Sequence, residues 1–159
     1  MYIHISMTRP PQAKTLVTDS RAVVDTCAGL NARLLARRIT RFVDARLAES
    51  GLSLAQFGLM AQVAAATDDT IGALADRAGL DQSTLSRTLR TLERAGLVEI
   101  TVVEDDLRRR AVWLTEAGAR RLEAAIPVWR EAQAALAGAV NLTAIGALAR
   151  AATALSAAA

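Results

Sequence analysis

Histidine, cysteine and lysine occur once each in the 159 residues, as His4, Cys27 and Lys14. A single thiol cannot close an intramolecular disulfide, and one thiol with one imidazole cannot assemble a zinc site. The same scarcity leaves no Ser-His-Asp or Cys-His set for nucleophilic catalysis. There is also no Gly-rich phosphate loop after a strand and no H-E-x-x-H pair. The chain is therefore expected to be no enzyme and to need no cofactor or metal. Aromatic residues make up only 3%, and no apolar run approaches the roughly 18–20 residues of a membrane span. The start, MYIHISMTRPPQ, lacks the basic residues and long apolar core of a signal peptide. With the lone cysteine, these absences predict a cytoplasmic protein with no membrane partner. Met7 is an alternative start to Met1.

Alanine and leucine are abundant, which favours helix almost throughout, and the length suits one domain with a real core. The 19 basic against 16 acidic residues give a net charge of +3, too mild a balance to name a nucleic-acid partner; the placement of the arginines has to do that. Residues 1–18 carry Pro10-Pro11 and no periodicity, and read as a disordered tail. Val23, Cys27, Leu30, Leu34, Ile39, Phe42 or Val43, and Leu47 then trace one face of a long helix from Asp19 to Glu49, ended by Gly51. Ser53 caps a second helix that carries Leu54, Phe57, Leu59, Met60 and Val63 into the core. Asp69 or Thr70 caps Ile71–Ala78, Gly79 stops it, and Leu80 turns into the core. Asp81 caps the next helix, with Leu85, Leu89 and Leu92 as its buried stripe and Gly96 as its end. Leu97–Val102 and Ala111–Leu114 read as the strands of a hairpin. Thr115 caps a long helix to Gly138, kinked at Pro127, and Asn141 caps a last one.

Two short helices joined by a tight turn, the second opening on Ser, Thr and Arg, followed by a charged hairpin, make a winged helix-turn-helix at 53–115. Such a unit places one helix in the major groove of double-stranded DNA. The expected fold is mainly α with a small β-hairpin wing, a single domain over 19–159. Its winged helix-turn-helix is flanked by long helices at 19–50 and 116–159, the first of them too long for a small domain's interior and expected to reach into a partner subunit. The first turns of the recognition helix face the bases, which puts Gln82, Ser83, Thr84, Ser86 and Arg87 at the DNA. Gln suits adenine, Ser and Thr take varied partners, and Arg87 can be bidentate to guanine. Arg90, three residues on, suits a phosphate or a second base. In the hairpin loop Arg108 is the candidate for a narrow minor groove, with Asp106 as its organiser. Arg109 and Arg110 lie on opposite strand faces, so one of them meets the backbone. Arg33, Arg37 and Arg41, spaced four apart, read as a solvated or dimer-rim face.

The string LDQSTLSRTLRTLERAGLV at 80–98 resembles the recognition helix of the multiple-antibiotic-resistance regulators, the MarR family. That family typically shows a Ser-Thr-x-[Ser/Thr]-Arg start and a Leu-Glu-x-x-Gly-Leu-[Val/Ile] end. Asp106, Arg108, Val112, Leu114 and Thr115 are similar to its Asp-x-Arg-x-x-x-[Val/Leu]-x-Leu-Thr wing signature. Leu107 stands where Arg is common, which removes one phosphate contact. The resemblance spans about 19–155. It implies a homodimeric, ligand- or oxidation-responsive transcription regulator, usually a repressor. The terminal helices would interlock with those of a second copy, setting two readers on successive major grooves of a pseudo-palindrome.

The resemblance also implies a release signal. A small, possibly aromatic effector between dimer helices and reader has Asn31, Phe57 and Met60 as candidate lining, though Phe57 and Met60 also fit plain core. Cys27 lies where the family's organic-hydroperoxide sensors carry their reactive cysteine, which makes it the redox candidate. A reactive thiol needs polar partners, often tyrosine, and the only tyrosine is Tyr2; the apolar stripe favours a buried structural thiol instead. A winged helix that serves only as a protein-interaction module is the remaining alternative, and arginines at both the recognition helix and the wing argue against it.

Overall fold

The structure, a computed structural model, describes residues 14–66, 70–103 and 106–156, with the backbone alone at 14, 102–103, 106–109 and 156. Packing divides the chain into two units, Met1–Ile39 and Thr40–Ala159.

In the first unit α1 spans Lys14–Thr26, and α2, Ala28–Leu47, begins there and runs into the second. The helix expected from Asp19 thus starts at Lys14, inside the stretch expected to be tail, and is interrupted at Cys27. The interruption is local. The Cys27 N–H still donates to the Val23 carbonyl at 3.0 Å, and the Asn31 N–H to the Cys27 carbonyl at 3.0 Å. Beside the break the Asp25 carbonyl accepts from the Asn31 side-chain amide at 3.1 Å, a bond that ties the end of α1 to the start of α2. Apart from the half-buried Cys27 and Ile39, the described side chains of this unit are exposed.

Burial begins in the second unit with Val43 and Leu47, one turn apart on α2 and both fully buried. A 3₁₀ turn, Ala48–Ser50, is closed by Gly51 at φ 70°. The Asp44 carboxylate accepts from the Leu54 N–H at 2.7 Å, and Ser53 with Gln56 forms a capping box on α3, Leu54–Ala64. Together these satisfy most of the amides that a helix start leaves unpaired. Helix α3 buries Phe57, Leu59, Met60 and Val63. Phe57 stacks on Trp129 with ring centroids 5.9 Å apart.

Helix α4, Ile71–Ala78, is capped by Thr70 and stopped by Gly79 at φ 59°. Leu80, expected in the core, is 38% exposed. Its N–H closes back on the Ala75 carbonyl at 3.2 Å, which fixes the backbone as it leaves the left-handed glycine and keeps the side chain at the surface. Helix α5, Gln82–Arg94, follows with Asp81 as cap. Strands β1, Val98–Val103, and β2, Asp106–Leu114, pair antiparallel, with Val98 opposite Leu114, Val102 opposite Arg110, and an irregularity between Val102 and Val103. Strand β2 therefore starts well before the expected Ala111. Thr70 bridges to Ala111, laying the start of α4 against the hairpin.

Helix α6, Glu116–Ala137, is capped by Thr115 and is one helix across Pro127, whose ring nitrogen cannot bond the Glu123 carbonyl. Helices α7, Leu142–Ala151, capped by Asn141, and α8, Thr153–Ser156, end the described chain. Among the described residues no single helix is long and apolar enough to cross a membrane.

Candidate nucleic-acid interface

Helix α5 has two faces. Leu85, Leu89 and Leu92 are buried at i, i+4 and i+7, each burial contributing about 1.5–3 kcal/mol. This anchors the helix and turns Gln82, Ser83, Arg87, Arg90 and Arg94 outward, all of them exposed. Arg87 and Arg90 have no ion-pair partner among the described residues. Their charge therefore stays available to an anion outside the chain.

The expected contact residues fall on different flanks of α5. Arg87, with Thr88 and Thr91, lines an open groove of about 400 Å³ against Ser53, Ala55 and Gln56 of the α3 start. Ser86 and Arg90 line a cleft of about 150 Å³ on the other flank, shared with Ile71, Glu93, Ile100 and Arg110. Ser86 is half-buried there rather than at the tip of the reader. The two arginines thus straddle the helix, a placement suited to opposite walls of one groove. Arg110, weighed in the sequence against Arg109 for the backbone contact, is exposed and shares the cleft of Arg90. The side chains of Asp106, Arg108 and Arg109 lie outside the described residues; their backbones form the first part of β2.

The start of α5 is organised by one carboxylate. Asp81 Oδ1 accepts from the Thr84 N–H at 2.8 Å and from the Ser83 hydroxyl at 2.5 Å. Its Oδ2 accepts from the Thr84 hydroxyl at 2.7 Å. The hydrogen bond from Ser83, reinforced by those from Thr84, holds the Asp81 carboxyl far below the usual carboxylate range. The sequence reading identified the cap but not its grip on both hydroxyls. The Asp-x-Ser-Thr spacing was the available signal, since residues two and three beyond an N-cap are within its reach. Further along, the Thr88 and Thr91 hydroxyls bond back to the Thr84 and Arg87 carbonyls, which leaves the arginines as the outward donors of that stretch.

Of the residues expected around an effector, Phe57 and Met60 lie in the second unit and Asn31 in the first. Met60 is fully buried and Phe57 is stacked on Trp129; both pack in the core of the second unit. Asn31 belongs to the first unit, where its amide is taken by Asp25. Cys27 is half-buried at the junction of α1 and α2 rather than enclosed in a core.

Comparison with known proteins bears on this geometry. The model of the MarR family matches residues 50–109, the span from the end of the 3₁₀ turn into strand β2. The transcriptional regulator MosR of M. tuberculosis, solved in complex with DNA, is 33% identical. The match covers 81% of this chain and 98% of that one, with a TM-score of 0.72. MepR of S. aureus, also solved with DNA, is 21% identical over 83% of this chain and 98% of its own, with a TM-score of 0.68. PcaV of Streptomyces coelicolor, solved with its natural ligand, is 19% identical over 84% and 94%, with a TM-score of 0.72. These last two share the fold. A comparison with curated protein sequences returns no match.

Proposed function

The chain belongs to the MarR family and is a DNA-binding transcription regulator, and from that premise we propose that it acts as a homodimeric repressor of a pseudo-palindromic operator, released by a small molecule. The observation that carries the DNA contact is α5 itself, pinned by Leu85, Leu89 and Leu92 while Arg87 and Arg90 stand on its two flanks without an ion-pair partner among the described residues. Gln82, Ser83, Thr84 and Arg87 read bases in the major groove, Arg90 and Arg110 bind the backbone, and the hairpin around Arg108 reaches the neighbouring minor groove.

Support for the homodimer lies in the terminal helices. Val23 and Val24 are 57% and 62% exposed on α1, Leu30 and Leu34 46% and 42% on α2, and Leu148 and Leu155 69% and 72% near the other end. Apolar side chains concentrated in this way on two terminal segments mark surfaces that a second copy covers. Residues 19–50 and 116–159 then serve as dimerisation helices. Release by a small molecule draws its support from PcaV, a protein of the same fold solved with its natural ligand, and the MosR complex supports DNA as the partner.

Binding titrations on an operator selected by the full-length chain test this reading. Two protomers per site are expected, on half-sites about 10–10.5 base pairs apart, with affinity falling steeply and log-linearly as salt rises from roughly 50 to 200 mM. A salt-independent affinity, or a single protomer binding the site with full strength, overturns it.

A further inference from the structure

In most helix-turn-helix readers a serine or threonine hydroxyl is a chameleon. It carries one proton and two lone pairs, so it donates to a phosphate or a carbonyl and accepts from an amine. At the start of α5 that freedom is gone. The Ser83 hydroxyl donates to Asp81 Oδ1 at 2.5 Å, and the Thr84 hydroxyl donates to Asp81 Oδ2 at 2.7 Å. An ionised carboxylate has no proton to give, so the direction of both bonds is fixed. What Ser83 and Thr84 then offer to the outside is lone pairs only. A phosphate oxygen, guanine O6 and thymine O4 are all acceptors and find no donor in these hydroxyls; adenine N6 and cytosine N4 are donors and find an acceptor.

We propose that Asp81 is a specificity-determining positioning residue, which fixes the Ser83 and Thr84 hydroxyls as hydrogen-bond acceptors and so directs the first turn of α5 to a base bearing an exocyclic amino group. The ligand class is a major-groove adenine or cytosine in each half-site. This rests on the reading of α5 as the recognition helix and adds the sign of the hydrogen bond that it makes. The same hydrogen bonds hold the Asp81 carboxyl below its ordinary value and so favour the charged form that accepts them. Its exposed charge also repels the phosphate chain, which keeps this turn facing base edges.

Selection of operators from random duplexes by the full chain, by S83A, by T84V and by D81S tests it. Serine at 81 keeps an oxygen for the Thr84 N–H but removes the charge and the second acceptor, so the hydroxyl protons are freed. The position whose preference S83A or T84V alters identifies the base in question, and circular dichroism with thermal melts establishes that each variant is folded. At that position the wild type is expected to select adenine or cytosine. Deleting the amine, with purine riboside for adenine or pyrimidin-2-one for cytosine, should weaken wild-type binding about 10-fold, the lower part of the range for one base contact. The folded D81S variant should lose most of that penalty and accept guanine or thymine nearly as well. Selection of guanine or thymine by the wild type, an unchanged preference in folded D81S, or no position responding to S83A and T84V, each overturns the inference while leaving DNA binding intact. A wild-type chain that selects no sequence at all overturns both this and the underlying reading.

Discussion

Gly118 lies so close to Leu97 that a Cβ on it would stand 1.9 Å from the Leu97 carbonyl oxygen. The first turn of α6 is thereby seated on the corner between α5 and β1, and only a residue without a side chain permits it. Gly118→Ala is expected to destabilise the protein by about 1–3 kcal/mol, the range for overpacking a filled interior. The obstacle is backbone, so a rotamer change cannot relieve it. A thermal melt checks this: a fall in Tm of at least roughly 2–4 °C is expected for a chain of this size, and an unchanged Tm would show that α6 lifts off the corner without cost.

The two flanking arginines should fail differently. Arg87→Ala is expected to cost about 1–3 kcal/mol and to relax preference at one base pair per half-site. Arg90→Ala should weaken all sequences alike and reduce the salt slope by about 1. Anisotropy titrations on the operator and on single-substituted duplexes separate the two. The same slope change for both variants would remove the distinction between base and backbone contact.

Much of this reader is legible from sequence because its signals are local. Ser53, Thr70, Asp81, Thr115 and Asn141 each cap the helix expected of them, since a cap needs only an oxygen within three residues of an unpaired amide. The Leu85, Leu89, Leu92 stripe is likewise periodic and is buried as expected. What escaped depends on partners distant in sequence or on a competition between local bonds. Phe57 fits a ligand wall or a core equally well until Trp129 is found stacked on it. At the break by Cys27, Asn31 reaches back six residues to Asp25, a bond that apolar periodicity does not encode. Leu80 was placed inside by its hydrophobicity, whereas the glycine before it sets the direction of the chain.

Acid should act on Asp81 with a definite sign. A carboxyl whose folded pKa is depressed stabilises the folded state above its ordinary value of 3.8, and that contribution is lost as pH falls toward the folded value. The stability difference between wild type and Asp81→Asn is therefore expected to be constant from about pH 8 to pH 5 and to shrink only below about pH 4. Urea unfolding at a series of pH values measures it. A difference that stays constant as the pH falls below about 4 would mean that Asp81 titrates near its ordinary value and does not hold both hydroxyls.

The exposed leucines of α2 offer a test of assembly. Leu30→Asp with Leu34→Asp places two charges on the apolar face proposed to be covered by a second copy. Sedimentation is expected to show a monomer with the second unit still folded, and operator affinity should fall by roughly 100-fold or more as the two readers lose their linkage. A dimer of wild-type stability would move the interface elsewhere.

Thr115 accepts from the Gly118 N–H at 3.0 Å and donates to the Gly96 carbonyl at 2.6 Å, while its own N–H bonds the Leu97 carbonyl at 3.2 Å. One residue is thus at once the first fixed point of α6 and the last of the reader. Mechanically, the joint has no slack. The start of α6 and the corner between α5 and β1 are tied at one point, and neither can move there without breaking a bond that Thr115 makes.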